Sequence, residues 1–186
     1  VKGGTGSGDV NSRFEISVEA GLESQQIEVR SKDWLDRYDA VRKAAFDKYN
    51  AKVLKYAQEN NVNPANAYFL FPFVLPPLPE VEVKDVLFAR CDTAIMVISR
   101  DSGEGADRTD TEGDYRLAAD EIAMLENLRS KFEKLIVVLN VGGVIDTTPI
   151  KKIGVNSLLL LSQVGNITGH VAADIITGEA VPSGKL

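Results

Sequence analysis

The residues Thr93-Ala94-Ile95-Met96-Val97-Ile98-Ser99 decide how this chain folds. A short continuous apolar run, followed by the charged and glycine-bearing stretch Arg100 to Arg108, reads as a buried β-strand. Two further runs read the same way, Leu135 to Asn140 and Val155 to Leu161. Between the first and second lies Tyr115 to Phe132, which puts Leu117, Ile122, Leu125 and Leu128 on one side of a helix. Pro149 to Lys152 resembles a helical turn, and Ile167 to Thr177 reads as a helix. Strands that are apolar throughout and alternate with helices build a mostly parallel sheet covered on both faces. The expected fold is α/β: a three-layer α/β/α sandwich with a mainly parallel sheet.

Upstream of the first strand, Val83 to Arg90 reads as a helix. The strongest helical pattern runs from Ser31 to about Asn60, with Ser31 as N-cap and Asp33 in the first turn. There Trp34, Tyr38, Val41, Ala45, Tyr49, Val53 and Tyr56 recur at three- or four-residue steps and form one apolar stripe. Such a stripe packs a core or an interface; a sugar-stacking platform is the other use. From Asn60 to Pro79 the prolines restrict the backbone to extended or turn geometry, so no helix is expected. Tyr68 to Leu75 is unusually apolar for a connector and is expected to pack across a sheet or a neighbouring domain. Phe14 to Leu22 is compatible with a short helix, and residues 1–12 form a glycine-rich loop, with four glycines in the six positions Gly3 to Gly8.

Composition narrows the classes. A chain of 186 residues, 44% hydrophobic, can bury a core as one domain, here taken as 1–186. The net charge of −6 argues against a nucleic-acid partner. The one cysteine, Cys91, excludes an internal disulfide and reads as a plain buried thiol at the start of a strand. The single histidine, His170, sits in a helical stretch, and neither a metal nor a cofactor is expected. No apolar run approaches the ~20 residues of a membrane span, and no signal-peptide pattern is present. No membrane partner and a cytoplasmic location are therefore expected. The chain opens within a motif, Val1-Lys2-Gly3-Gly4, and so reads as an excised piece of a larger multidomain protein.

Two loops carry chemistry. After the first strand, Glu104 stands between Gly103 and Gly105, with Arg100 and Arg108 on either side. Ligands of open α/β sheets bind outside the carboxyl ends of strands, so Glu104 is a candidate acid/base group. Arg100 and Arg108 would lower its pKa, whereas Asp101 and Asp107 would raise it. The same loop, Asp101 to Asp114, holds six acidic residues, yet its spacing does not meet the calcium-loop pattern, and most of these carboxylates are read as solvated. The second loop, Gly4-Thr5-Gly6-Ser7-Gly8, meets neither the Walker nor the dinucleotide pattern, and Asp9 would repel a phosphate. Thr5, Ser7 and backbone groups suit a neutral, hydroxyl-rich ligand. Gly142-Gly143, after the second strand, either lines the same strand-end crevice or makes a tight turn.

Taken in order, four blocks resemble the C-terminal-type α/β sandwich domain of glycoside hydrolase family 3, the family of many β-glucosidases. They are Lys2-Gly-Gly-Thr-Gly-Ser-Gly8, Ser102-Gly-Glu-Gly-Ala-Asp-Arg108, Ile136-Val-Val-Leu-Asn-Val-Gly-Gly143, and Ala172-Ala-Asp-Ile-Ile-Thr-Gly178 with Val181-Pro-Ser-Gly-Lys-Leu186. The chain departs from the family pattern at Leu117-Ala-Ala-Asp-Glu121, where Leu-Pro-Gly-x-Gln is usual, and at Val164-Gly-Asn-Ile-Thr-Gly169, where Pro-Gly-x-x-Gly-Gly is usual.

The resemblance implies a site shared with a (β/α)8-type barrel of the same parent chain. The barrel would supply an aspartate nucleophile, and Glu104 would be the general acid/base. Gly4, Thr5, Ser7, Asp107 and Arg108 would contact the substrate, a β-glucoside or oligosaccharide cleaved at a terminal β-D-glucosidic bond. Retaining glycosidases hold their two carboxyl groups about 5–5.5 Å apart, and Glu104 can be only one of them. Two other readings remain open: a non-catalytic carbohydrate-binding or scaffold domain, and a nucleotide-binding α/β domain.

Overall fold

A computed structural model describes residues 12–71, 73–100 and 108–184. In chain order the elements are α1 (Val18–Ser24), α2 (Lys32–Glu59), α3 (Pro64–Leu70), α4 (Val83–Ala89), β1 (Thr93–Arg100), α5 (Ala119–Lys131), β2 (Lys134–Val141), α6 (Thr148–Ile153), β3 (Ser157–Leu160) and α7 (Thr168–Thr177). They fall into two compact units. One runs through residue 30 and resumes at residue 81; the other is Ser31–Glu80.

The first unit is built on a parallel sheet in the order β1-β2-β3, with Ile98 beside Leu139 and Leu139 beside Leu160. Successive strand residues face opposite sides, so each side has its own covering. On one side Val138 and Leu161 pack with Ala172 of α7, and Val18 of α1, Ile95, Ile136 and Leu159 close around them. On the other side lie Leu135, Val137 and Leu139, all buried, where α5 meets β2 and brings Met124, Leu125 and Leu128 into the interior. Helices on both faces of a parallel sheet make the expected three-layer sandwich.

The edge strand β3 is shorter than the apolar run Val155 to Leu161. Its ladder is stopped at both ends by other hydrogen bonds. Leu135 N–H donates to the Asn156 side chain at 2.8 Å, while Leu161 and Ser162 N–H both donate to the Leu139 carbonyl at 2.9 and 3.2 Å. Leu158 and Leu160 stay 45% and 42% exposed, so this strand is not buried on both faces as its composition suggests. Helix α5 also starts later than Tyr115, because residues 109–116 are folded into a turn with its own backbone hydrogen bonds.

The two helices on one face meet backbone to backbone. A methyl group on Gly21 of α1 would lie 2.0 Å from the Gly169 carbonyl oxygen, and one on Gly169 would lie 1.9 Å from the Ser17 carbonyl oxygen. Around that contact Ile16 N–H donates to Asn166 O (2.8 Å) and Gly169 N–H to Ile16 O (2.9 Å). Gln25 donates to Asp174 at 2.7 Å, and Ser12 donates to the Asn166 side chain at 3.1 Å. His170 is spent on a hydrogen bond with Ser24.

The second unit consists of α2, α3 and the proline-rich segment after them. Val53, Ala57 and Ala67 form its core, with Tyr49, Tyr56, Tyr68 and Phe71 packed around it. The C-terminal part of the α2 stripe, Tyr49, Val53 and Tyr56, is thus packed within its own unit, whereas Val41 is 50% exposed. Phe73 packs edge-on to Phe46, and Phe71 edge-on to Tyr56. The tyrosine hydroxyls find partners: Tyr49 donates to Phe71 O at 2.6 Å, and Tyr68 donates to the Asn50 side chain. Two expectations fail here. Pro64–Leu70 is a helix, because Pro64 occupies its first position, where a missing N–H costs nothing, and Asn63 caps it by accepting from Ala65 N–H. Ser31 is the N-cap of α2 as expected, although its side chain makes no capping hydrogen bond. Cys91, expected to be buried, is exposed. It lies in the turn after Arg90, whose left-handed φ of 48° ends α4 before β1 begins.

Candidate active site

Glu104 follows β1 in sequence by four residues. That residue, with Asp107, Gly4, Thr5 and Ser7, lies outside the described residues. Both roots of the 101–107 stretch are described, and each is an arginine held by several hydrogen bonds.

Arg100, the last residue of β1, is 8% exposed. Its guanidinium donates to both carboxylate oxygens of Glu121, at 2.7 and 2.5 Å, and its Nε donates to the Asp114 main-chain carbonyl at 3.1 Å. A buried guanidinium needs such a fork, because planar bidentate pairing replaces much of the hydration it loses. Glu121 is placed by the first turn of α5, where it also accepts from Ala118 N–H at 2.9 Å. Gln163, beyond β3, donates to the Arg100 carbonyl at 3.3 Å and so joins the ends of β1 and β3.

Arg108 forms the other root. Its Nη1 donates to Asp114 Oδ1 at 2.6 Å, and its Nη2 donates to the Gly142 carbonyl at 2.9 Å. Gly142 immediately follows β2, so the Gly142-Gly143 turn does belong to the strand-end edge. The second oxygen of Asp114 accepts from Thr109 N–H at 2.7 Å and from the Thr109 hydroxyl at 2.8 Å. These hydrogen bonds, the Thr109 N–H first and then Arg108, hold the Asp114 carboxyl down at about 2.

The neighbouring acidic residues are engaged as well. Asp110 accepts two hydrogen bonds from Arg116, at 2.6 and 2.7 Å, which lowers its pKa. Asp146 accepts from Thr148 N–H at the start of α6, and the Thr148 side chain first and then that N–H hold its carboxyl below the usual range. Its N–H donates to the Tyr115 carbonyl at 2.7 Å, which ties this turn to the 109–116 turn. Asp114, 31% exposed, is therefore a structural acceptor, whereas Asp110, 65% exposed, pairs with Arg116 in solvent as expected. Among the described residues no three His, Cys, Asp or Glu side chains converge as a metal site would require.

Sequence reasoning singled out Arg100 and Arg108 as neighbours of Glu104 but missed Asp114, Glu121 and Gln163. The signal for Glu121 was its place three residues after Ala118, the spacing at which a carboxylate reaches back to a helix start. Asp114 and Gln163 carry no comparable local signal.

This is a parallel α/β sandwich with one buried and one partly buried arginine, Arg100 and Arg108, hydrogen-bonded at the carboxyl edge of the sheet. The profile of the glycosyl hydrolase family 3 C-terminal domain matches residues 1–186, and the chain belongs to that family. It is 33% identical over 209 aligned residues to beta-glucosidase A of Butyrivibrio fibrisolvens, covering all of this chain and 23% of that protein. A beta-glucosidase of Ruminococcus albus is 35% identical over 111 residues, covering 58% of this chain and 12% of that protein. Among solved structures, beta-glucosidase 3B from Thermotoga neapolitana in complex with glucose superposes with a TM-score of 0.76 at 30% identity, covering all of this chain and 24% of its own. A beta-glucosidase from Paenibacillus barengoltzii superposes with a TM-score of 0.69 at 28% identity, covering all of this chain and 19% of its own. The chain thus spans about a quarter or less of the length of these relatives.

Proposed function

We propose that this chain is the acid/base-bearing domain of a retaining β-glucosidase, completed by a barrel domain of the same parent protein. The observation that supports the reading is the anchoring of the two described residues on either side of 101–107: Arg100 at the carboxyl end of β1 and Arg108 are each hydrogen-bonded to the scaffold of the parallel sheet. The beta-glucosidase names of the relatives that match the whole chain favour the same substrate class.

In this reading Glu104 gives its proton to the glycosidic oxygen as the bond to the anomeric carbon breaks and a barrel carboxylate bonds that carbon. The Glu104 carboxylate then takes a proton from water as the water oxygen displaces the enzyme carboxylate. Arg108 and Asp107 flank the leaving-group side, and the loop bearing Gly4, Thr5 and Ser7 faces sugar hydroxyls. Ser12, the first described residue after that loop, donates to the Asn166 side chain beyond β3.

The test is Glu104→Gln in the full-length enzyme. On a substrate with a poor leaving group kcat/KM should fall about 10³-fold, because general acid catalysis supplies roughly 10²–10⁴. On an aryl glucoside with an acidic phenol the loss in kcat/KM should be small, and azide should restore turnover by trapping the glycosyl-enzyme. Equal losses on both substrates without azide rescue would make Glu104 a binding residue.

A further inference from the structure

We propose that the rim beyond the carboxyl ends of the three strands is a docking surface for the barrel domain of the parent chain, with Val144, Val164 and Tyr115 as its apolar contacts. This rests on the two-domain reading above. Val144 is 77% exposed in the turn after β2, although turns favour glycine, proline and short polar residues. Val164, in the segment after β3, is 41% exposed, and Tyr115, in the 109–116 turn between β1 and α5, is 36% exposed. Each strand is thus followed by a segment that leaves a sizeable apolar side chain in water.

Hydrogen bonds join these segments to one another. Gly142 N–H and the Gln163 side chain donate to the same acceptor, the Arg100 carbonyl, at 3.2 and 3.3 Å. They link the turn after β2 with the segment after β3. Asp146 N–H donates to the Tyr115 carbonyl at 2.7 Å and links the turn after β2 with the 109–116 turn. Ile145, next to Val144, is buried and anchors that turn in the core. Val144 is therefore displayed by a fixed turn rather than a loose one. The charges nearby suit a covered surface. Glu121 takes up Arg100, Asp114 takes up Arg108, and Asp110 takes up Arg116. A partner can cover ions already paired in this way without leaving one of them buried alone, which is the costly case. Interface cores are poor in free charge and rich in aromatic and apolar side chains. The barrel is the occupant that the chemistry requires at this edge. Glu104 follows β1 by four residues in sequence, and four residues of chain reach at most about 14 Å. A domain that brings the second carboxyl group has to approach the end of β1. Most of the length of the matched relatives lies outside the part this chain covers, which leaves room for such a domain.

The experiment uses the full-length enzyme with Val144→Cys and, separately, Val164→Cys, each treated with a maleimide in the native state and after unfolding. Peptide mapping tells the new thiol from Cys91 and any other. Both new thiols should react at least about a hundredfold more slowly in the native enzyme than in the unfolded one, because labelling then waits for the domains to part. Photo-leucine in place of Val144 should cross-link to a peptide of the barrel; a cross-link to another domain or to a second copy of the chain would overturn the assignment. Free labelling at either position, while Glu104→Gln shows its leaving-group bias, would overturn the docking surface and leave the acid/base reading standing. Protection at both positions with a barrel cross-link, but no bias from Glu104→Gln, would uphold the docking surface and sink the acid/base reading.

Discussion

Asp114 makes a prediction about pH. Its carboxyl is held at about 2, against an ordinary 3.8, so the folded protein favours the ionised form more than the unfolded chain does. A depressed pKa contributes stability that is fully present above the unfolded value and is lost as pH falls through the folded one. The contribution should therefore be constant above about pH 5 and fade between about pH 4 and pH 2. Unfolding midpoints measured across that window should drop less steeply in Asp114→Asn than in the parent protein; parallel curves would mean that the Thr109 and Arg108 bonds do not persist in solution. None of this could be read from the sequence. Asp-Thr-Glu-Gly-Asp looks like any acidic surface turn, and its last residue stands out only once the fold brings Arg100 and Arg108 to it from opposite ends of a loop. Glu104 stood out in the sequence as a candidate because glycines on both sides of a lone carboxylate after an apolar run are locally unusual.

Among the elements, β1 and β2 were legible from their continuous apolar runs, which hold even where one face of β1 stays open at Val97. Strand β3 was legible in kind but not in length, because Asn156 and Ser162 end its ladder through hydrogen bonds that composition does not record. Helix α3 was hidden by Pro64, which is unfavourable inside a helix and harmless at its first position. The pairing of α1 with α7 left no trace at all, because two glycines some distance apart say nothing of each other until they touch. Gly169→Ala tests that contact. Alanine is better than glycine in a helix by about 1 kcal/mol. Here its methyl would sit 1.9 Å from the Ser17 carbonyl oxygen, and backbone cannot yield as a side chain can. Overpacking should win, with a net loss of about 2–3 kcal/mol in denaturant unfolding. A stabilised variant would show that the two helices stand further apart.

At the scale of the molecule, the same division of labour that explains Glu104 predicts what the chain does by itself. Purified residues 1–186 should hydrolyse no aryl β-glucoside, because a retaining site needs two carboxyl groups about 5–5.5 Å apart and one of them is assigned to the barrel. Asp146 is no substitute: it is occupied at the start of α6 by the Thr148 N–H. Turnover that co-purifies with the chain and disappears on Glu104→Ala would place a nucleophile within these residues. The segment from Ser31 to Glu80 was legible as a long amphipathic helix followed by an apolar stretch expected to pack on a sheet or a neighbouring domain, whereas Tyr68, Phe71 and Phe73 of that stretch pack on the helix itself. The contact between α1 and α7 has a further consequence, for the chain as it is being made. Gln25 emerges 149 residues before Asp174, its partner. At about 5–20 residues per second the first helix waits roughly 7–30 s for the surface that covers it. During that time Val18 and Leu22 stay open to whatever else is at hand on the ribosome. The sandwich cannot close progressively from its amino end; it closes once, when α7 arrives.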